Sequence, residues 1–136
     1  MKRISFAWTT ASLLAGAKTC TRRAWKDGYA QAFEQGEYVE AWDRLPYRGG
    51  KLIGTITLQA KPYLEDLASA PDSDYVTEGL QWMEDRGELI RGVPPREFWD
   101  TWRASGEWVY VVRFTWLGPG RYTGQRGMRR QEVPRA

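Results

Sequence analysis

The sequence contains no histidine and a single cysteine, Cys20. The missing histidine removes every Ser-His-Asp or Cys-His pairing from the available chemistries. One cysteine cannot close an internal disulfide, and it suits a reducing compartment. A lone thiol with scattered carboxylates is also a poor ligand set for structural zinc, so neither a metal nor another cofactor is expected. No stretch approaches the about 20 apolar residues of a membrane span. Lys2-Arg3, an apolar-leaning segment over 4–17 and the closing Ala15-Gly16-Ala17 imitate a secretory leader. Ser5, Trp8, Thr9, Thr10 and Ser12 interrupt that segment, however, so a cytoplasmic protein is expected.

What is present is aromatic and unevenly charged. The 136 residues include eight Trp, seven Tyr and four Phe. Large rings bury much apolar area each, so one compact domain can form at this length. Some rings can instead line a groove and stack on bases. Residues 1–26 hold six basic groups and no acid, and residues 117–136 hold five arginines and one acid, Glu132. The middle of the chain is net acidic. Basic ends fit an anionic partner such as a nucleotide or RNA; they fit a solvated surface as well.

The pattern interleaves short strands with short helices. Strands are predicted over 3–8, 19–25, 37–43, 51–60 and 107–116 from alternation and β-branched or aromatic content. Helices are predicted from Thr9 or Thr10 to Ala15, over 29–35, from about 72–74 to Arg86, and from Pro94-Pro95 to Arg103. Residues 62–71 read as a loop, and 117–136 as a basic tail left unassigned or flexible. The order points to an α+β domain with a curved or barrel-like mixed sheet flanked by helices.

The densest chemistry is Gly16-Ala17-Lys18-Thr19-Cys20-Thr21-Arg22-Arg23. A threonine hydroxyl is a weak nucleophile unless a base adjoins it. A lysine amine serves when burial or nearby cations lower its pKa. Side chains alternate along a strand, so Lys18 and Thr21 have opposite parity. For both to meet, Lys18 must leave the strand path in a turn that Gly16 permits. Glu78, in Tyr75-Val76-Thr77-Glu78-Gly79-Leu80, can orient the amine or handle a proton. Each residue also has a plain role open to it: a surface lysine, a strand threonine, a helix acid. Cys20 is expected as a small buried residue, and Arg22 as solvated.

The Gly16–Arg23 run resembles the G-x-K-x-x-E-x-R signature of ASCH domains, a branch of the PUA-like fold, with Thr21 where many members carry glutamate. The K-T-x-T-x-R version, here Lys18 to Arg23, is similar to that of small bacterial ASCH proteins that hydrolyse N4-acetylcytidine. The resemblance covers residues 3–116, leaving 117–136 as the tail. It implies a PUA-like mixed β-barrel flanked by short helices, with catalytic Lys18, Thr21 and Glu78. Arg23, Trp8 and Tyr75 are the expected substrate-binding residues. The implied activity is amidohydrolysis of N4-acetylcytidine or related N4-acylated cytosine nucleosides. In one version Thr21 attacks the acyl carbonyl; in the other Lys18 and Glu78 activate water while Thr21 donates to the oxyanion. A non-catalytic module binding RNA or modified nucleosides, and a ribonuclease of the same fold, are the alternatives.

Overall fold

The computed structural model describes residues 1–121. Six strands form one mixed sheet: β1 (Arg3–Ser5), β2 (Cys20–Arg23), β3 (Tyr38–Trp42), β4 (Leu52–Leu58), β5 (Tyr63–Asp66) and β6 (Trp108–Trp116). Their order is β1-β3-β4-β6-β2, and β5 also pairs with β6. Only the β1–β3 pair is parallel. Helices α1 (Thr10–Leu14), α2 (Asp27–Gln31), α3 (Asp74–Thr77), α4 (Leu80–Asp85) and α5 (Pro95–Ala104) complete the α+β fold. Among the described residues, no helix is long and apolar enough to cross a membrane.

Strand β6 organises the sheet. Its C-terminal end pairs with β4 through Phe114 to Trp116, and its N-terminal part pairs with β5 through Trp108 to Val111. Along its other edge, Tyr110 to Arg113 pair with β2. Five of its residues from Val109 to Phe114 are buried. Such a run, rather than strict alternation, is what a strand covered on both faces requires. The barrel interior is filled by Ile4, Phe6, Leu13, Phe33, Val39, Ala41, Ile56, Leu58, Val112 and Phe114. A second core of Ala70, Tyr75, Leu80, Met83, Ile90 and Trp99 belongs to the helical layer. Burying each large side chain contributes roughly 1.5–3 kcal/mol.

The end strands of the sheet, β1 and β2, meet without a backbone ladder between them. One side chain bridges the gap: Arg23 Nη2 donates to the Ser5 carbonyl at 2.6 Å. After β6 the chain turns back onto β4. Leu117 N donates to Thr55 O at 2.9 Å, Thr55 Oγ1 donates to Gly120 O at 2.8 Å, and the Arg121 guanidinium pairs with Glu40. The rest of the expected basic tail, 122–136, lies outside the described residues.

Three sequence expectations change. The segment 62–71 is not all loop, because Tyr63–Asp66 is a strand on β6. The helix expected over 72–86 is two helices, broken at Gly79, whose φ of 88° is incompatible with a continuous helix. The first strand stops at Ser5, and Trp8 sits in a single 3₁₀ turn over Ala7–Thr9.

Gly54 on β4 lies beneath Trp116. An added Cβ would overlap the Trp116 ring and the Gly118 carbonyl oxygen. Gly54→Ala is expected to destabilise the fold by about 1–3 kcal/mol, the usual cost of overpacking, as measured by urea denaturation. An unchanged midpoint would show that the returning segment does not pack against β4 in solution.

Candidate active site

Lys18 reaches its position because the chain leaves helix α1 abruptly. Gly16 takes φ 78°, and the backbone N–H groups of Ala17 and Lys18 both donate to Ser12 O, at 2.9 and 3.2 Å. The Thr19 N–H then donates to Thr77 O at 2.7 Å, which pins this turn to the end of α3. Strand β2 starts only at Cys20, so Lys18 is free of the strand's alternation.

Glu78 caps the C-terminal end of α3, and Gly79 follows in the left-handed region. Here glycine is required twice. The backbone angle disfavours a side chain, and a Cβ would come within 2.5 Å of Ser12 Oγ and 3.2 Å of Lys18 Cβ. The close approach brings Glu78 over the turn. Lys18 Nζ donates to Glu78 Oε1 and to the Glu78 carbonyl oxygen, both at 3.0 Å. Lys18 is 1% exposed. Burial pushes its amine pKa down from the ordinary value, and the Glu78 charge pulls it back up. A buried amine in that balance can accept a proton, which a solvated lysine at neutral pH does not do.

Cross-strand partners share a face of the sheet. Thr21 lies opposite Val112 of the barrel core, whereas Cys20 and Arg22 lie opposite Arg113 and Val111. That second face meets the helical layer. Arg22 is buried there rather than solvated, contrary to the sequence expectation. Its Nη1 donates to Glu78 Oε2 at 2.8 Å, its Nε to Glu65 Oε1 at 2.9 Å, and its Nη2 to Asp74. Arg113 holds Asp74 by two bonds, at 3.0 and 2.7 Å. Sequence reasoning missed Arg22 because its carboxylate partners are 43, 52 and 56 residues away. The pairing of Arg22 with Arg23 at the end of the run was the available signal. Cys20 is buried, and burial pushes its thiol up to about 12, with the Glu78 charge adding to the effect. It remains a thiol and is no nucleophile at neutral pH.

A cleft of about 430 Å³ opens where β1, β2 and the helical layer meet. Lys18, Thr21, Arg22, Arg23 and Glu78 line it together with Phe6, Trp8, Phe98 and Trp102. Thr21 Oγ1 accepts from Arg23 Nε at 3.1 Å, which leaves the hydroxyl proton free to be donated. Lys18 and Thr21 border the same space without a direct hydrogen bond among the described residues. Trp8 packs edge-on against Phe98 at 5.2 Å, and Phe98 lies 5.7 Å from Trp102. The spacing of Phe98 and Trp102 shows one helical face, but the sequence does not show that this face meets a cleft. Tyr75 is the expected site residue that the structure keeps away. Its ring is buried in the second core against Trp99, and its hydroxyl donates to Glu84 at 2.6 Å.

No family model and no curated protein matches the sequence. Solved structures do match the fold. Protein EF3133 of Enterococcus faecalis V583, assigned to the family DUF984, superposes with a TM-score of 0.56 over 92% of this chain and 85% of its own, at 14% identity. The ZmASCH protein of Zymomonas mobilis, solved as two point mutants, superposes with TM-scores of 0.52 and 0.50. Those matches cover 88% and 86% of this chain and 71% and 68% of the other, again at 14% identity. The fold is that of an ASCH domain. The ASCH-like, PUA-like barrel with its flanking helices accounts for the mixed sheet and its seam.

Gly79→Ala should lower stability by about 1–3 kcal/mol through the left-handed angle and the clash with Ser12. Circular dichroism melting reads this loss; an unchanged melting temperature would mean that Ser12 and Gly79 are not in contact. A second expectation concerns acid. Burial alone would raise the Asp74 carboxyl, but hydrogen bonds from Arg113, Arg22 and Thr77 hold it at about 2. A carboxyl depressed in the fold stabilises it fully above the unfolded value of about 4. That contribution should disappear as pH falls from about 4 towards 2. Denaturation midpoints in Asp74→Asn should therefore be flatter than wild type across this range, and parallel curves would refute the assignment.

Proposed function

We propose that this ASCH-fold protein is an amidohydrolase that removes the acyl group from N4-acetylcytidine or related N4-acylated cytosine nucleosides. The observation that carries the reading is the buried Lys18 amine held 3.0 Å from Glu78 at the floor of an aromatic-walled cleft. The reaction needs a base that works without histidine, and a desolvated amine beside a carboxylate is such a base.

The substrate's pyrimidine lies against Trp8 and its neighbours Phe98 and Trp102, with the N4-acyl amide towards Thr21. The Thr21 hydroxyl attacks the acyl carbonyl as its proton passes to the neutral Lys18 amine. Arg23 Nε, already donating to Thr21 Oγ1, eases the loss of that proton. The carbon–N4 bond breaks, and Lys18 returns the proton to the leaving cytosine amine. Water, deprotonated by the Lys18–Glu78 pair, then cleaves the Thr21 ester. A carboxylic acid leaves, and the hydroxyl is restored. Glu78 positions the amine throughout, and Arg22 positions Glu78.

Incubation with N4-acetylcytidine should release cytidine. Lys18→Ala and Thr21→Ala should each lower kcat/KM by roughly 10²–10⁴-fold. The wild-type rate should rise with pH through a limb lying below the ordinary lysine value, since the neutral amine is the active form and burial favours it. Rapid-quench mass spectrometry should find an acyl group on Thr21. A productive enzyme that never carries it uses water directly, with Thr21 as oxyanion donor. Folded wild-type protein that leaves a series of N4-acyl cytidines intact would end the proposal.

A further inference from the structure

One charged residue of the cleft has no part in the reaction above. Arg91 lines the cleft, yet its guanidinium has no hydrogen bond, ion pair or ring contact among the described residues. The other cleft cations are committed. Lys18 serves Glu78, Arg22 serves Glu78, Glu65 and Asp74, and Arg23 holds Thr21 and the Ser5 carbonyl. Among the described residues Glu78 is the one acid in the lining, and its two oxygens are already taken by Lys18 and Arg22. The cleft thus presents excess positive charge, with Arg91 as its unengaged donor.

The backbone around Arg91 is built to present it. Ile90 and Val93 exchange backbone hydrogen bonds at 2.7 and 2.9 Å, so Arg91-Gly92 forms the two-residue tip of a tight hairpin. Both tip residues have positive φ, 51° and 81°. Asn, Asp or Gly is favoured at such positions, and a long side chain there is strained. Among the described residues the one other non-glycine with positive φ is Ala7, which also lines the cleft. Residues held in such sparsely populated conformations cluster at active sites and ligand clamps.

We propose that the cleft takes its cytosine substrate as a nucleotide, with Arg91 binding the phosphate. A guanidinium offers parallel N–H donors that match phosphate oxygens. The cleft, at about 430 Å³, falls in the range that encloses small ligands of nucleotide size. This inference rests on the proposed deacylation for the identity of the base, but the phosphate contact can be tested without turnover.

Trp8 and Trp102 line the cleft, so quenching of tryptophan fluorescence reports its occupancy. Titrations with cytidine, cytidine 5′-monophosphate and an oligocytidylate lacking terminal phosphates would be run on wild type and Arg91→Asn. Asparagine tolerates the left-handed angle, so the hairpin is kept. The monophosphate should bind wild type about tenfold more tightly than cytidine, the scale of one charge-assisted contact. The gap should close in Arg91→Asn and shrink at high salt. If the oligomer matches the monophosphate with the same dependence on Arg91, the phosphate recognised is an internal diester; if it binds more weakly, it is a monoester. Equal affinity for cytidine and its monophosphate in wild type, a gap that survives Arg91→Asn, or binding of neither ligand overturns the inference. Failure of deacylation with an Arg91-dependent gap intact removes the proposed reaction and leaves the phosphate site standing.

Discussion

The buried ion pairs around Arg22 hold the barrel and the helical layer in one register. Three cations (Lys18, Arg22 and Arg113) face three carboxylates, Glu65, Asp74 and Glu78. Isolated buried ions are costly, and the cost is offset only when each finds a partner with good geometry. Arg22 meets that condition with all three of its nitrogens engaged. Its partners come from β5, α3 and the α3–α4 junction, so the set closes only when both layers are docked. Two separate apolar cores lie on either side of this polar seam. Hydrophobic burial supplies the cohesion of each core, while the ion pairs fix how the two meet.

The same arrangement makes the carboxylate of Glu78 asymmetric. One oxygen answers to Lys18 and the other to Arg22. A side chain held from both sides loses little further freedom when a ligand arrives, which is the condition for a preorganised site. The amine is poised between desolvation, which favours its neutral form, and Glu78, which favours its charged form. In a chain without histidine, burial thus disfavours the charged form of this amine while Glu78 opposes the shift.

Local pattern revealed some parts of this architecture and hid others. The barrel strands were legible where β-branched, apolar and aromatic residues are concentrated, as in Leu52–Leu58 and Trp108–Trp116. The Lys18 turn was legible because a glycine sits between helix and strand. Strand β5 was hidden, because Tyr63–Asp66 is four residues long, follows a proline and carries two acids; only pairing with distant β6 makes it a strand. The helix break at Gly79 was hidden because Tyr75, Val76, Leu80 and Met83 keep helical spacing across it. Arg22 and Tyr75 were misplaced for the same reason in opposite directions. Burial of the first depends on carboxylates remote in the chain. Burial of the second depends on Trp99, which lies across the helical layer.

Arg23 bridges β1 and β2 where no ladder joins them, and it also donates to the Thr21 hydroxyl that borders the cleft. A ligand in the cleft that engaged this guanidinium would consequently act on the barrel wall through one side chain. A guest that competes for this guanidinium loosens the stave it enters beside, and one that reinforces its present contacts tightens the hoop.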